Sequence, residues 1–169
     1  MKEKIELRYQ RVSDAKRFFE ILNNPNFTYF KVCPKNIEAE KEFLRLNSEK
    51  RKNNIQYNYG IWLDGKLIGG CGINVHQFRT FIGEIGYFLD EEYWGKGIAV
   101  KAVKLLENIG FQKLGLKRIE ILMHPKNLSS EKVALKCGYE KEGTMKKAAK
   151  NGDEYADAHL YAKVTEIEY

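Results

Sequence analysis

A strand that passes through a glycine-rich turn into a helix is the feature of this sequence that most restricts its fold. The pattern of residues 80–89 predicts the strand, and apolar residues recur at the helical period of about 3.6 over residues 99–109. Residues 93–99, which contain two glycines, lie between them. A further strand is predicted at residues 119–123 and a further helix at residues 128–136. Strand, helix, strand and helix in this order predict parallel pairing at the centre of a sheet.

Antiparallel strands are predicted on either side of this centre. Residues 55–63 alternate and turn at Asp64-Gly65 into a partner strand at residues 67–75. A second hairpin is predicted to turn at Asn151-Gly152. The remaining predictions are a strand at residues 5–11, a helix over residues 15–22 capped by Ser13, a helix from about residue 36 that buries Ala39, Phe43 and Leu46, and a last strand with Tyr155, Asp157, His159 and Tyr161 on its polar face.

Length and composition limit the class of protein. A chain of 169 residues, 43% of them hydrophobic, can bury one core, so we expect a single domain over residues 1–169. No apolar run approaches the roughly 20 residues that span a bilayer, and no apolar leader is present. We therefore expect a soluble, cytoplasmic protein. Three scattered cysteines predict neither a disulfide framework nor a metal site.

The net charge of +6 admits several anionic partners: nucleic acid, a phosphorylated cofactor or an acidic protein. The lysines are spread along the chain and mixed with acids, as in Glu140-Lys141-Glu142, which favours an ordinary solvated surface. No motif of stacking aromatic residues supports nucleic-acid binding, so we do not expect a nucleic-acid partner.

The turn at residues 93–99 has the properties of an anion site. Gly95 and Gly97 let a ligand approach the backbone, and the first turn of the following helix has unpaired N–H groups. The partial positive charge of that helix end favours an anion such as a pyrophosphate. The spacing matches neither the phosphate loop of NTPases nor the three-glycine dinucleotide motif. Small residues at a helix entry also have a purely structural explanation.

Two motifs resemble those of the GNAT acetyltransferases. Residues 94–99 are similar to the family signature (Arg/Gln)-x-x-Gly-x-(Gly/Ala), with Trp94 at the Arg/Gln position. Residues 86–89 (Gly-Tyr-Phe-Leu), followed by residues 93–97 (Tyr-Trp-Gly-Lys-Gly), look like the branch that includes the Rim-type ribosomal-protein N-acetyltransferases. A second match to that branch comprises Asn127-Leu128-Ser129-Ser130, Val133, Lys136, Gly138, Tyr139 and Gly143.

The resemblance implies an α/β (α+β) fold of the GNAT acyl-CoA N-acyltransferase type, a mixed, mostly antiparallel sheet of about seven strands flanked by four helices. The strand that ends at Leu89 should splay from residues 119–123 and leave a cleft for the pantetheine arm of acetyl-CoA. Asn127 is expected to contact the pantetheine or to cap a helix. No metal is implied. The implied donor-binding residues are Phe88 and Leu89 through their main chain, Trp94, the amides of Gly95, Lys96, Gly97, Ile98 and Ala99, and Asn127.

Glu84 is the candidate general base. An alkyl amine attacks a thioester only when neutral, yet a lysine-like amine with a pKa near 10 is almost fully protonated at pH 7. Glu84 lies on the same side of its strand as Gly86 and Phe88, so it is expected to face the cleft. GNAT enzymes often place a glutamate at this part of the strand. A carboxylate that only binds a cationic substrate, or a neighbouring strand, would give the same pattern.

Ser130 is the candidate group that stabilises the leaving thiolate. Many GNAT enzymes use a tyrosine at the position of Ala134, so the resemblance to the Rim-type branch implies Ser130 instead. A serine at a helix start could equally satisfy a free N–H group. We expect direct attack in a ternary complex, because no activating base lies near Cys71 in the sequence to make it an acyl carrier.

The sequence therefore predicts an N-acetyltransferase that moves an acetyl group from acetyl-CoA to a primary amine. The Rim-type resemblance implies a peptide amino terminus as the acceptor. Polyamines, antibiotics and small metabolic amines stay open as acceptors, and so does a non-catalytic coenzyme A sensor. The acceptor pocket is expected around residues 27–52 and the terminal hairpin, where Asp157 could hold an ammonium group. Both a monomer and a homodimer are compatible with the sequence.

Overall fold

The computed structural model describes residues 4–29, 32–151 and 153–165. Their strands form one seven-stranded sheet in the order β1-β2-β3-β4-β5-β7-β6. All neighbours are antiparallel except β4 and β5, which run parallel, so the predicted mixed sheet is confirmed. The strands are β1 (Ile5–Tyr9), β2 (Gln56–Leu63), β3 (Lys66–Val75), β4 (Ile82–Leu89), β5 (Arg118–Met123), β6 (Glu140–Asn151) and β7 (Glu154–Val164).

Within the described residues, four α-helical segments flank the sheet, as predicted. The helices are α1 (Ala15–Leu22), α2 (Ile37–Arg45), α3 (Asn47–Lys52), α4 (Ile98–Asn108) and α5 (Leu128–Lys136). Only Leu46 separates α2 from α3, and its backbone is itself helical, so these two form one bent segment. A π-helical turn at residues 109–113 continues α4. In the part of the chain that the structure describes, no helix is long and apolar enough to span a membrane.

The two faces of the sheet carry separate hydrophobic clusters, because alternate residues of a strand point to opposite faces. The larger cluster packs against α4 and α5, and we call this side the core face. The smaller packs against α1 and α2, on the side that we call the open face. The core face includes Ile73, Ile85, Ala102, Leu106, Ile119 and Ile121, and the smaller cluster includes Phe18, Leu22, Leu44 and Leu67.

The parallel pair β4 and β5 splits after three residue pairs. Pairing runs from Ile82↔Arg118 to Glu84↔Glu120 and then stops, although both strands continue. The two strands therefore leave a gap in the middle of the sheet, as the resemblance implied.

Several local predictions were wrong. α1 follows a 3-10 turn, and no side-chain hydrogen bond caps it, so Ser13 is not its cap. In the bent segment of α2 and α3, Leu44 is the buried leucine, whereas Ala39, Phe43 and Leu46 of the predicted buried stripe are all exposed. Tyr161 belongs to the core face rather than to a solvated face, because α5 lies over this part of β7 and the Tyr161 hydroxyl donates to Glu131 of that helix. The second residue of the predicted Asn151-Gly152 turn lies outside the described residues.

Candidate active site

A cavity of about 720 Å³ lies beside the end of β4, beyond the point where this strand has separated from β5. Its walls are the end of β4, residues 93–95 and 97–100 at the entry to α4, residues of α5 and the loop before it, and residues 26–29, which lie between α1 and α2. Lys126, Lys132 and Lys136 also line it, so its walls carry positive charge. Lys126 and Lys132 were not singled out in the sequence, where they look like ordinary surface residues, whereas Lys136 belongs to the second motif match.

The entry to α4 presents bare backbone to this cavity. Gly95 and Gly97 have φ angles of 72° and 73°, in the left-handed region that favours glycine. A Cβ at either position would meet no atom within 4 Å, so the space beside both is open. Gly97 is the N-cap of α4, and no side chain caps this helix end. The first N–H groups of α4, from Ile98 and Ala99 onwards, are thus available to an anion.

Lys96 differs from the other predicted donor-binding residues of this turn. Gly95, Gly97, Ile98 and Ala99 all line the cavity, whereas the Lys96 side chain packs over the Tyr93 ring, with Nζ 5.4 Å from its centroid. The Lys96 side chain thus packs on the ring of Tyr93, a residue of the cavity wall, and is not itself one of the lining residues.

Trp94 fastens this turn to the sheet. Its indole Nε1 donates a hydrogen bond of 2.8 Å to the carbonyl oxygen of Leu89, the last residue of β4. Its ring also lies 5.7 Å from that of Phe27. Trp94 thus links the end of β4 to the loop after α1, a contact that the sequence motif did not reveal.

The backbone of β4 alternates between β3 and the cavity. The Asp90 N–H donates to the Ile68 carbonyl oxygen at 2.8 Å, which fixes the phase of the antiparallel ladder. The backbone groups of Phe88 consequently face β3, contrary to the expected main-chain pairing with pantetheine, although its side chain lines the cavity. Those of Tyr87 and Leu89 face the gap instead.

Asn127 is the N-cap of α5. Its Oδ1 accepts a hydrogen bond of 3.2 Å from the Ser130 N–H, and the residue also lines the cavity. The capping alternative from the sequence is therefore what the structure shows. A contact between its remaining amide donors and pantetheine stays a prediction.

Ser130 makes a contact that the sequence did not suggest. Its N–H is already satisfied by Asn127, and its Oγ lies 2.8 Å from the hydroxyl oxygen of Tyr87. Burial raises the pKa of Tyr87 to about 12. Tyr87 appeared in the sequence only as a letter of the Gly-Tyr-Phe-Leu motif. Its partner is 43 residues away in the chain, so local sequence gives no signal for it.

Glu84 lies in a second pocket, of about 360 Å³, on the open face. It shares this pocket with His76, Arg79, Arg118 and Glu120. Glu84 and Glu120 form the last residue pair before β4 and β5 separate, so Glu84 lies beside the gap. Its side chain was expected to face the cleft itself, whereas the structure places it in this neighbouring pocket.

The two carboxylates of this pocket have different surroundings. Glu120 is paired with Arg118, whose Nε lies 2.6 Å from its Oε1, and the His76 Nε2 lies 3.7 Å from its Oε2. No hydrogen bond or ion pair to the Glu84 carboxylate is found among the described residues. Burial raises the pKa of Glu84, His76 lowers it and the charge of Glu120 raises it, with a net increase. The carboxylate of Glu84 is thus more basic than that of an ordinary glutamate.

Cys71 and Asp157 are the two remaining candidate residues. Cys71 is buried in the core, and burial raises its thiol pKa, which argues against an acyl carrier. Asp157 accepts hydrogen bonds of 3.0 Å from Lys146 Nζ and from the Lys147 N–H, so its carboxylate already has cationic and backbone partners. Among the described residues, no group of three His, Cys, Asp or Glu side chains could hold a metal ion.

A sheet split at its centre, with an open helix N-terminus beside the gap, is the architecture of an acyltransferase that takes its acyl group from coenzyme A. The chain belongs to the acetyltransferase (GNAT) domain family, whose sequence profile matches residues 4–140. It is an acetyl-CoA-dependent N-acetyltransferase, as the resemblance of its motifs implied.

Named relatives agree with this assignment. The chain is 34% identical to the probable N-acetyltransferase YjcK of Bacillus subtilis over 133 residues. This match covers 75% of this chain and 71% of the relative. It is 36% identical over 104 residues to the ribosomal-protein-serine acetyltransferase of Escherichia coli, covering 62% of this chain and 58% of the relative. The crystal structure of the microcin C7 self-immunity acetyltransferase MccE, in complex with acetyl-CoA and AMP, has a TM-score of 0.85 and 26% identity, covering 96% of this chain and 93% of that one.

Proposed function

We propose that this enzyme acetylates the α-amino group of a peptide or protein by direct attack on acetyl-CoA in a ternary complex. The observation that carries the proposal is the position of the two pockets. The larger lies beside the end of β4, beyond its separation from β5, and the Glu84 pocket lies on the open face where the two strands separate. Donor and acceptor can therefore approach one carbonyl carbon from different sides.

The donor is held mainly by backbone groups in this proposal. Its pyrophosphate lies on the amides of residues 95–99, and the cavity lysines supply further positive charge for its phosphates. The pantetheine arm adds to the sheet along the free edge of β4, where Tyr87 and Leu89 present backbone groups. Because the Leu89 carbonyl is bound to Trp94, the available groups are the Leu89 N–H and both Tyr87 groups.

Glu84 acts as the general base. Its carboxylate takes the proton of the acceptor ammonium, directly or through water, and the amine nitrogen then attacks the thioester carbonyl. Because the pKa of the Glu84 carboxyl is raised, it lies nearer to that of the acceptor amine, and the proton transfer is less unfavourable. The nitrogen of the tetrahedral intermediate then gives its extra proton to water, and the intermediate collapses as the sulfur leaves with the bonding electron pair towards Ser130 at the start of α5.

An α-amine suits this base better than a lysine side chain. An α-amino group has a pKa of about 7.7–8.0, so roughly a tenth of it is neutral at pH 7, whereas the lysine pKa is about 10.4. A carboxylate is a weak base even with a raised pKa, so the less basic amine is the easier substrate. The similarity to the ribosomal-protein-serine acetyltransferase of Escherichia coli points to the same acceptor class.

Acceptor selectivity tests the proposal. The panel contains a serine-initiated and an alanine-initiated peptide with free amino termini, the same peptides with a blocked terminus and an internal lysine, a free amino acid, and spermidine. Release of coenzyme A thiol gives kcat/KM for each. We expect the free-terminus peptides to exceed the blocked, lysine-bearing peptides by about 100-fold, in line with the difference in amine pKa. Equal rates on the blocked peptides, or a preference for spermidine or the free amino acid, would refute the proposed acceptor.

A further inference from the structure

Tyr87 and Ser130 meet across the donor cavity from two different elements. Tyr87 extends from β4 and Ser130 from the first turn of α5, and both line the cavity. Their hydroxyl oxygens lie 2.8 Å apart, and the Tyr87 hydroxyl also lies 3.4 Å from the Ser130 carbonyl oxygen. The shorter contact is a normal O–H···O hydrogen bond, and the longer one is weak.

We propose that Tyr87 acts through Ser130, orienting the serine hydroxyl towards the leaving sulfur and resupplying the proton that the hydroxyl gives up. This inference rests on the role of Ser130 in the proposed function. Tyr87 is then a positioning residue, and Ser130 is the group that touches the sulfur.

The C–S bond breaks with its electron pair on sulfur, and the Ser130 O–H donates its proton to that sulfur. The Tyr87 phenol passes its own proton to the serine oxygen, and solvent in the open cavity reprotonates the phenolate. A phenol is far more acidic than an aliphatic hydroxyl, so the pair is a better proton source than serine alone. The high pKa of Tyr87 keeps the phenol protonated, and hence able to donate, throughout the neutral range.

Other tyrosines do not fit this role. The usual helix position is occupied by Ala134, which is fully buried. The Tyr161 hydroxyl donates to Glu131, and the Tyr139 hydroxyl is buried and outside the cavity lining. Among the described tyrosines that line the cavity, Tyr87 is the one whose hydroxyl contacts Ser130.

The test uses Tyr87→Phe, Ser130→Ala and the double variant, with Tyr57→Phe as the matched control. The Tyr57 hydroxyl donates a hydrogen bond of 2.9 Å to Asn54, away from both pockets, so the control loses a phenol bond without touching the site. Two quantities are measured for each variant. One is kcat and KM with a saturating amine acceptor, and the other is the pKa of the thiol of bound coenzyme A, from thiolate absorbance across a pH series.

We expect Tyr87→Phe to lower kcat by about 10-fold or more and to leave the KM for acetyl-CoA within about twofold. The bound thiol should titrate about one pH unit higher, because a hydrogen bond to its thiolate is weakened. A phenylalanine that merely loosened packing would not move that thiol. In the Ser130→Ala background, Tyr87→Phe should have no further effect, since the two residues act as a unit.

If Tyr87→Phe leaves kcat and the thiol pKa unchanged, while Ser130→Ala lowers kcat and raises the thiol pKa, the proposed role of Tyr87 is overturned and that of Ser130 stands. The same holds if the two substitutions act additively. If Ser130→Ala also leaves both quantities unchanged, the proposed role of Ser130 falls with it.

Discussion

Replacing Glu84 with glutamine should lower kcat by about 10²- to 10⁴-fold, because the acceptor ammonium loses the group that takes its proton. Glutamine keeps the size and polarity of the side chain, and the donor cavity is lined by other residues, so the Kd for acetyl-CoA should stay unchanged. Steady-state kinetics and calorimetry on the same preparation measure the two quantities. Glu49→Gln, on the exposed surface of α3, is the matched control. A Glu84→Gln variant with near wild-type kcat would assign the base to another group.

The pH dependence of the same enzyme gives an independent check. A general base works when ionised, and burial raises the pKa of Glu84 above its ordinary value of 4.5. The acidic limb of kcat/KM should therefore fall off at a pH above that value, and Glu84→Gln should remove this limb. His76, Arg79, Arg118 and Glu120 face the same pocket, so His76→Gln is needed to separate a contribution of His76 from that of Glu84. A limb that persists in Glu84→Gln and disappears in His76→Gln would contradict the assignment.

Gly97→Val should weaken acetyl-CoA binding by about 100-fold or more. Gly97 has a φ of 73°, which is strained for a β-branched residue, so the cap of α4 must rearrange. Each hydrogen bond to a charged group contributes about 1.5–3 kcal/mol, so the displacement of even one or two amides gives a loss of this size. Calorimetric titration with acetyl-CoA measures the Kd.

Gly65→Val is the matched control for this backbone strain. Gly65 has a φ of 82° in the hairpin between β2 and β3, and a Cβ there would also meet no atom within 4 Å. The control should lose thermal stability to a similar extent and bind acetyl-CoA normally. If both variants bind the donor like the wild type, the amides at the start of α4 do not hold it.

The order of elements could be predicted because periodicity reports which residues are buried along each segment. The prediction failed where burial depends on distant partners. In α2 the apolar residues allow two stripes, and packing against α1 selects the one that contains Leu44 and leaves Phe43 exposed. Tyr161 is buried because α5 packs over this part of β7, and the position of that helix is not specified by the local pattern.

The backbone of the turn before α4 was easier to predict than the surroundings of Glu84 and Ser130 for a similar reason. Gly95 and Gly97 favour left-handed φ angles by themselves, so the sequence motif suffices for this local conformation. The pocket of Glu84 depends on its register with Glu120, and the pairing of Tyr87 with Ser130 depends on where α5 begins relative to β4. Both are long-range contacts that no local motif specifies.

The affinities of the protein for two acetyl donors test most directly whether the backbone amides of residues 95–99 hold the pyrophosphate. Acetyl-CoA and S-acetylpantetheine share the thioester and the pantetheine arm, but only acetyl-CoA carries the pyrophosphate and the nucleotide. If the amides of residues 95–99 hold the pyrophosphate, calorimetry should show acetyl-CoA binding at least about 100-fold more tightly, with the difference largely lost in Gly97→Val. Equal affinity of the wild-type protein for the two donors, or a difference that Gly97→Val leaves intact, would contradict the account.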